Sequence, residues 1–401
     1  MKNFSLGIIR EEKSPPDKRV PFTPTQCVEL MQEFPGLKII VQPSPVRCYT
    51  DKEYSSLGIT LQEDLSACDL IMGVKEIPID KLIADKTYFI FSHVIKKQPH
   101  NQKLMKAFVN KKNTVIDYET LTDQNHNRII GFGRYAGIVG AYNGLRGYAI
   151  RYGLVHLKPA NQCHDKTELE TELKRLKLPN IKILITGGGR VANGATETMS
   201  MLKIRKVTPY EFLNHSYREP VYCQLHSKDY FETDDGSLWN MNDFYTHPEK
   251  YRSKFWPYTK TTDLLISGHY WDPRCARLFS KEEINQPDFR TSVIADISCD
   301  INGSVPSTLR ASSIEEPFYG YDPATQKEGE PFSNNTITIM AVDNLPCELP
   351  RDSSEGFGKE LMERVMPSLL GKDENGIIER ATILKNGKLT KAFEYLSEYA
   401  Y

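Results

Sequence analysis

The sequence predicts an α/β protein of two doubly wound parallel-sheet domains. Three observations predict it. The first third alternates short apolar runs with helical patterns, the order that parallel sheets require. A second unit of the same kind opens at Ile181–Ile185 and runs straight into a glycine-rich turn. Between the two, Tyr135–Tyr152 is one long helical pattern rich in small residues.

Taken in order, the runs Leu6–Ile9, Leu37–Val41, Leu70–Val74, Tyr88–Phe91 and Thr114–Ile116 are short and partly β-branched or aromatic, as buried strands are. Thr23-Pro24 places a cap residue before a proline at the first helical position, so a helix is expected through Val28, Leu30 and Met31. A second helix is expected from about His100 through Leu104, Met105, Phe108 and Val109. In Tyr135–Tyr152 the small residues Gly137, Gly140, Ala141, Gly144 and Gly147 allow close approach to other backbone, and the segment is expected to be the rod joining two domains. Residues 158–180 are polar and charged, a loop and a surface helix. Leu264–Ile266, Val293–Ile297 and Ile337–Val342 are expected as further strands of the second unit. Residues 215–262, aromatic and polar, read as an insertion. After Pro346 and Pro350 comes an amphipathic helix, Gly356–Leu370, and a short tail.

Composition narrows the function classes. The 401 residues are 39% hydrophobic and 26% charged, with 21 Tyr and 17 Phe, enough to bury real cores and to exclude wholesale disorder. The formal net charge of −1 provides no global field for nucleic acid or an anionic membrane. No apolar run approaches the ~20 residues of a membrane span. Met1–Arg10 reads as a short strand rather than a signal peptide. The eight cysteines are scattered without a C-x-x-C pair, so no metal site and no disulfide scaffold are expected, and reduced thiols point to the cytoplasm.

The most specific motif is the strand Ile181–Ile185 followed by Thr186-Gly187-Gly188-Gly189-Arg190-Val191-Ala192-Asn193-Gly194. Gly187 and Gly189 fit G-x-G, and Ala192 fits the small third place of a Rossmann-like dinucleotide turn. One glycine makes the turn, the next admits a pyrophosphate against the backbone, and the following helix offers free N–H groups to the phosphates. Glu211 lies near the ~20-residue offset at which an acidic residue binds a ribose 2′-OH, which favours NAD, whereas Arg205 and Lys206 close by suit a 2′-phosphate.

A second constellation lies in the first third. Arg10, Glu12 and Arg19 follow the first strand, Lys75 and Glu76 the strand Leu70–Val74, His93 the strand Tyr88–Phe91, and Glu119 the strand Thr114–Ile116. In a parallel sheet these are all carboxyl ends on one edge, where ligands bind.

These residues carry a resemblance. Ile71–Glu76, Lys86–Gln98 and Ile130–Gly137 resemble the lysine-forming saccharopine dehydrogenases, and more closely the lysine–ketoglutarate reductase half of the aminoadipic semialdehyde synthases. The likeness continues at Thr246–Tyr251, Ile294–Ser298 and Val342–Pro346. Alanine dehydrogenase is a more distant relative of the same architecture. The resemblance implies a substrate domain of residues 1–134 plus 350–401 and an NAD(P)-binding domain of 135–349, with an interdomain cleft. It implies interconversion of saccharopine with lysine and 2-oxoglutarate, small-molecule partners only, and Lys75 and His93 as the catalytic pair. Arg10, Gln98, Arg128, Phe132 and Ser298, Cys299 and Asp300 match substrate contacts. Gly187, Gly189, Arg190, Gly194, Tyr270, Ile297, Val342, Asp343, Asn344 and Leu345 match or complete the cofactor site. Asn127 stands where fungal members carry an arginine, Val191 where they carry a cysteine, and Arg134 where they carry an apolar residue. His93 suits acid–base cycling near neutrality, Lys75 requires a lowered pKa, and arginines pair with carboxylates by two hydrogen bonds. The competing readings are an alanine-dehydrogenase-like enzyme acting on a small amino acid and a dinucleotide-binding sensor without turnover.

Overall fold

The computed structural model describes residues 3–13 and 16–401, so Met1 and Lys2 of the expected opening strand lie outside the described residues. The chain divides into two compact units. One holds the residues up to Phe132 together with Pro350–Tyr401, the other Gly133–Leu349.

In the first unit, strands β1 (Phe4–Ile8), β2 (Leu37–Val41), β3 (Thr60–Leu61), β4 (Leu70–Met72), β5 (Thr87–Ile90) and β6 (Thr114–Asp117) are all parallel, in the spatial order β6-β5-β4-β1-β2-β3. Helix α1 (Pro24–Glu33) starts where the sequence places it, with Thr23 and Gln26 forming a reciprocal capping box and Pro24 at its first position. Helices α2 (Asp51–Ser56) and α3 (Gln102–Asn110) complete the wrapping, α3 burying Leu104, Met105 and Phe108. The tail is more than an appendage. The helix Pro350–Arg364 buries Phe357 and Leu361 in this unit's core, and Thr382–Lys385 pairs antiparallel with β6. Strand order reverses between β1 and β4, the topological switch point at which open α/β sheets bind ligands.

The second unit opens with α4 (Gly133–Arg151), which corrects the expectation of a connecting rod. The helix lies wholly within this unit, with Ile138, Ala141, Tyr142 and Leu145 in its core. Its small residues serve a helix–helix contact with α6, described below: a Cβ on Gly137 would meet Val191 O at 1.9 Å. Helix α5 (Lys166–Leu173) precedes β7 (Lys182–Thr186), α6 (Arg190–Met201), the two-residue edge strand β8 (Arg205–Lys206), α7 (Pro209–Asn214) and β9 (Val221–Leu225). Then come the small antiparallel pair β10 (Phe231–Thr233) and β11 (Tyr251–Ser253), followed by β12 (Leu264–Ser267), β13 (Val293–Asp296), β14 (Phe318–Asp322), β15 (Lys327–Gly329) and β16 (Ile337–Met340). The main sheet has the order β15-β14-β16-β13-β12-β7-β9-β8, parallel except for β14 and β15. Residues 215–262 are therefore not all inserted. Val221–Leu225 is a core strand beside β7, and the added material begins after it.

Among the described residues no helix is long and apolar enough to cross a membrane, and no group of three or more His, Cys, Asp or Glu is placed to hold a metal ion. All eight cysteines are unbridged.

Candidate active site

In the first unit the carboxyl ends of β1, β4, β5 and β6 gather titratable side chains. Lys75 follows β4 on the loop at the switch point. Burial pushes its ammonium below the ordinary lysine range, and the Arg19 guanidinium pushes the same way. Arg19 is itself buried, locked to Asp17 by two hydrogen bonds of 3.0 and 2.6 Å, and lies 4.1 Å over the Phe132 ring. Beside Lys75, Glu76 binds His93 Nδ1 at 2.5 Å and Lys13 Nζ at 3.1 Å. Burial opposes the charge on Glu76, yet the His93 hydrogen bond and the neighbouring cations hold its carboxyl down, at about 2.

His93 stands on a left-handed backbone, φ +52°, directly after β5. That turn is held from beneath. Asp117, fully buried at the end of β6, accepts from Ser92 N–H at 3.0 Å, from the Ser92 hydroxyl and from Glu119 N–H at 2.7 Å. Glu119 in turn pairs with Lys96 at 3.1 Å and lies 4.0 Å from Arg128, whose guanidinium sits 5.5 Å from the Phe91 ring centre. Phe91, Phe132 and Phe357 pack together, the last two stacked at 4.3 Å, so the edge has an aromatic floor. An amine whose charge is disfavoured by burial, an imidazole and fixed cations at one sheet edge suit proton transfer on a substrate that carries carboxylates.

In the second unit the corresponding edge is built around the glycine turn. Gly187 has φ +106°, and its N–H donates to Leu225 O at 2.8 Å. A Cβ on Gly187 would lie 2.8 Å from Gly268 O, and one on Gly188 2.5 Å from His226 Nδ1, while one on Gly189 would enter open space. Gly189 caps α6 and Arg190 is its first residue, so the positive end of the helix follows the turn directly, as a pyrophosphate site requires. Gln224 braces the turn, donating to Gly187 O at 3.1 Å and accepting from Lys206 Nζ at 3.0 Å. The same edge carries Tyr270 after β12, Ile297–Asp300 after β13 and Val342–Leu345 after β16.

Comparison with known proteins agrees with this architecture. Residues 7–139 match the family model of the alanine dehydrogenase/PNT N-terminal domain. The chain is 29% identical to alpha-aminoadipic semialdehyde synthase, mitochondrial, of Mus musculus, over 98% of this chain and 47% of that protein. It is 25% identical to the saccharopine dehydrogenase [NAD(+), L-lysine-forming] of Emericella nidulans, over 90% of each. The fold resembles that of a solved L-alanine dehydrogenase, with a TM-score of 0.66 at 17% identity, covering 99% of this chain and 100% of that one. The chain is thus similar to the alanine dehydrogenases in the fold and to the lysine-forming saccharopine dehydrogenases in sequence. It spans less than half the length of the animal and plant synthases it matches.

Within this saccharopine dehydrogenase-like frame, the structure brings Lys75, His93, Arg128 and Phe132 to one edge of the first unit. Gln98 follows that edge with its side chain exposed and its carbonyl accepting from the Tyr399 hydroxyl at 2.6 Å. Arg10 departs from expectation. It is clamped by Glu63 at 2.8 and 2.6 Å and by Glu12 at 2.9 Å, so its guanidinium is already neutralised. The nearer cation acting on Lys75 is Arg19, nine places further along the same connection and folded inward by its partner Asp17.

In the second unit Gly187, Gly189 and Arg190 form the turn. Gly194 does not. A Cβ there would strike Arg134 O at 2.0 Å, so its role is to seat α6 on α4. Glu211 is also displaced. It sits in the first turn of α7 and accepts from Thr208 N–H and Oγ1, both at 2.8 Å. The strand beside β7 is β9, reached only after α7, and the residue at its end is His226. Ile297, Val342 and Leu345 are buried, so they can offer a ligand only backbone. Tyr270 is 83% exposed. Ser298 donates to Asp296 at 2.7 Å, Cys299 has φ +54°, Asp300 and Asp343 follow the strand ends, and Asn344 donates to Cys347 Sγ at 2.9 Å. The residues that sequence reading passed over are Glu11, Asp17, Asp117 and His226. Three are carboxylates whose partners lie elsewhere in the sequence or on the main chain, and single charges carry no pattern that reveals this.

Proposed function

We propose that the chain is an NAD(P)-dependent oxidoreductase acting on a CH–NH bond, interconverting saccharopine with lysine and 2-oxoglutarate. The observation that carries the reading is the cluster of Lys75, the His93–Glu76 pair and the cations Arg19 and Arg128 at the switch-point edge, in a chain similar to lysine-forming saccharopine dehydrogenases over 90% of its length.

The chemistry asks for these groups. The lysine ε-amine must be neutral to attack the keto carbon, the carbinolamine must lose water, and the resulting imine must be reduced. Lys75, with its charge disfavoured by burial and by Arg19, accepts the proton at the reacting amine. His93, oriented through Nδ1 by Glu76, enters protonated and donates the proton of its other ring nitrogen to the carbinolamine hydroxyl, which leaves as water. Arg128, at the exposed side of this edge, offers positive charge to a substrate carboxylate, while Arg19, buried against Asp17, acts on Lys75. The Gly187–Gly189 turn, Arg190 and the N-terminus of α6 would hold the dinucleotide, which supplies or accepts the hydride when bound. β9 is followed by His226 in place of an acid, with Asp229 turned onto the His226 N–H at 2.8 Å and Lys206 beside the strand, so the phosphorylated cofactor is the better fit. The cytoplasm is the proposed compartment.

Initial rates followed at 340 nm with lysine, 2-oxoglutarate and NADH or NADPH test the proposal. Lys75→Met with His93→Gln abolishes turnover on this reading, and pyruvate plus ammonia does not substitute for the substrates. Full turnover by the double variant contradicts it.

A further inference from the structure

The loop that carries Lys75 is held by a buried carboxylate from the connection that leaves a neighbouring strand. β4 ends at Met72, and the chain turns through Gly73 into Val74 and Lys75. Glu11, on the connection leaving β1, reaches across the switch point. One of its oxygens accepts from Val74 N–H at 2.5 Å and the other from Lys75 N–H at 2.9 Å. Glu11 is only 8% exposed. Gly73 is part of the fit, because a Cβ there would lie 2.8 Å from Ile9 Cγ2 and 3.2 Å from Glu11 Oε1.

The sheet does not need this charge. β1 and β4 already pair through Leu6–Leu70, Gly7–Ile71 and Ile8–Met72. Burying a carboxylate is costly even when hydrogen-bonded. Burial and the nearby Asp17 push the Glu11 carboxyl up to about 7, against the pull of the two amides and Arg19. The groups facing it are thus Asp17 and Arg19 from its own connection, the Val74–Lys75 loop, and Tyr118 after β6.

We infer that Glu11 is a positioning residue: its two oxygens clamp the main chain of Val74 and Lys75 and thereby fix where the Lys75 amine stands. The inference rests on the reading of Lys75 as an acid–base group, and Glu11 acts only through it. Two N–H donors need two acceptors. Glutamine offers one acceptor and one NH2, which sets donor against donor. Aspartate keeps both acceptors but retracts them by one methylene.

Competitive acylation read by mass spectrometry follows the titration of the Lys75 amine without turnover, in the full chain. In the wild type the amine titrates below the ordinary lysine range. In Glu11→Gln the released loop lets it reach water, and its titration moves up by about one unit or more. In the same variant kcat falls roughly 10²-fold while KM for 2-oxoglutarate stays within about threefold. Glu11→Asp lies between the two on both readouts, and it carries the test if Glu11→Gln does not fold. A Lys75 titration unmoved in a folded variant overturns the clamp. So does an equal loss of kcat in both variants that follows only the loss of folded protein by circular dichroism. If Lys75→Met keeps wild-type turnover while the Lys75 titration still moves in Glu11→Gln, the clamp stands and the catalytic reading of Lys75 has failed.

Discussion

Lys75 and His93 stand in different surroundings, and the proposed reaction gives them different work. Lys75 is surrounded by what disfavours charge, and removal of its amine by Lys75→Met should cost roughly 10²–10⁴-fold in kcat in the reaction followed at 340 nm. His93 is held by an ionised partner. Glu76 titrates at about 2 instead of 4.5, so its ionised form contributes stability above pH 4.5 that is lost as pH falls toward 2. Glu76→Gln should therefore lower the urea midpoint most above that window and least at its acid end, as a pH series of unfolding curves would reveal. A difference that grows on acidification contradicts the pairing. Glu348 has the opposite sign. Burial raises it to about 8, with Asn143 donating to it at 2.9 Å, so the folded state holds its proton more tightly and stability falls as pH rises from 4.5 through 8. Glu348→Gln should gain on the wild type in melting temperature as pH rises through that range.

At the scale of elements, the glycines of α4 and α6 make a testable contact. Gly137 and Gly194 face backbone, not flexible side chains, so Gly137→Ala must push two helices apart. Denaturant unfolding should register a loss of roughly 1–3 kcal/mol or more. The end of β9 makes another. If His226 stands where other dinucleotide folds place an acid, His226→Asp should shift the ratio of Kd for NADP+ over NAD+ toward NAD+ by about 10-fold, a like-charge effect against a 2′-phosphate. Equilibrium dialysis measures it, and an unchanged ratio assigns the pocket elsewhere. These elements also mark the limits of legibility. Leu37–Val41 and Leu264–Ser267 announce themselves as strands because nearly every residue is apolar. Val221–Leu225 does not, because its five residues include Gln224 and lie in a polar stretch. Phe318–Asp322 is hidden by Gly320 and by its neighbour Pro317. Glu211 satisfies the expected offset from the glycine turn, but the offset assumes that the next strand is the neighbouring one, and here β8 and α7 intervene.

For the whole molecule, each unit presents its chemistry at strand carboxyl ends beside its own switch point, Glu11 and Lys75 between β1 and β4, the glycine turn and Tyr270 between β7 and β12. Such an edge is open because no strand continues through it, and it is where loops can be replaced without disturbing the sheet. The most direct test is the initial rate of NADPH oxidation in the presence of lysine and 2-oxoglutarate together, compared with either alone, for the wild type and for Lys75→Met with His93→Gln. The expected result is turnover by the wild type only when both substrates are present, and none by the double variant. A wild-type chain that binds NADPH yet oxidises none of it with both substrates present, or a double variant as fast as the wild type, contradicts the account.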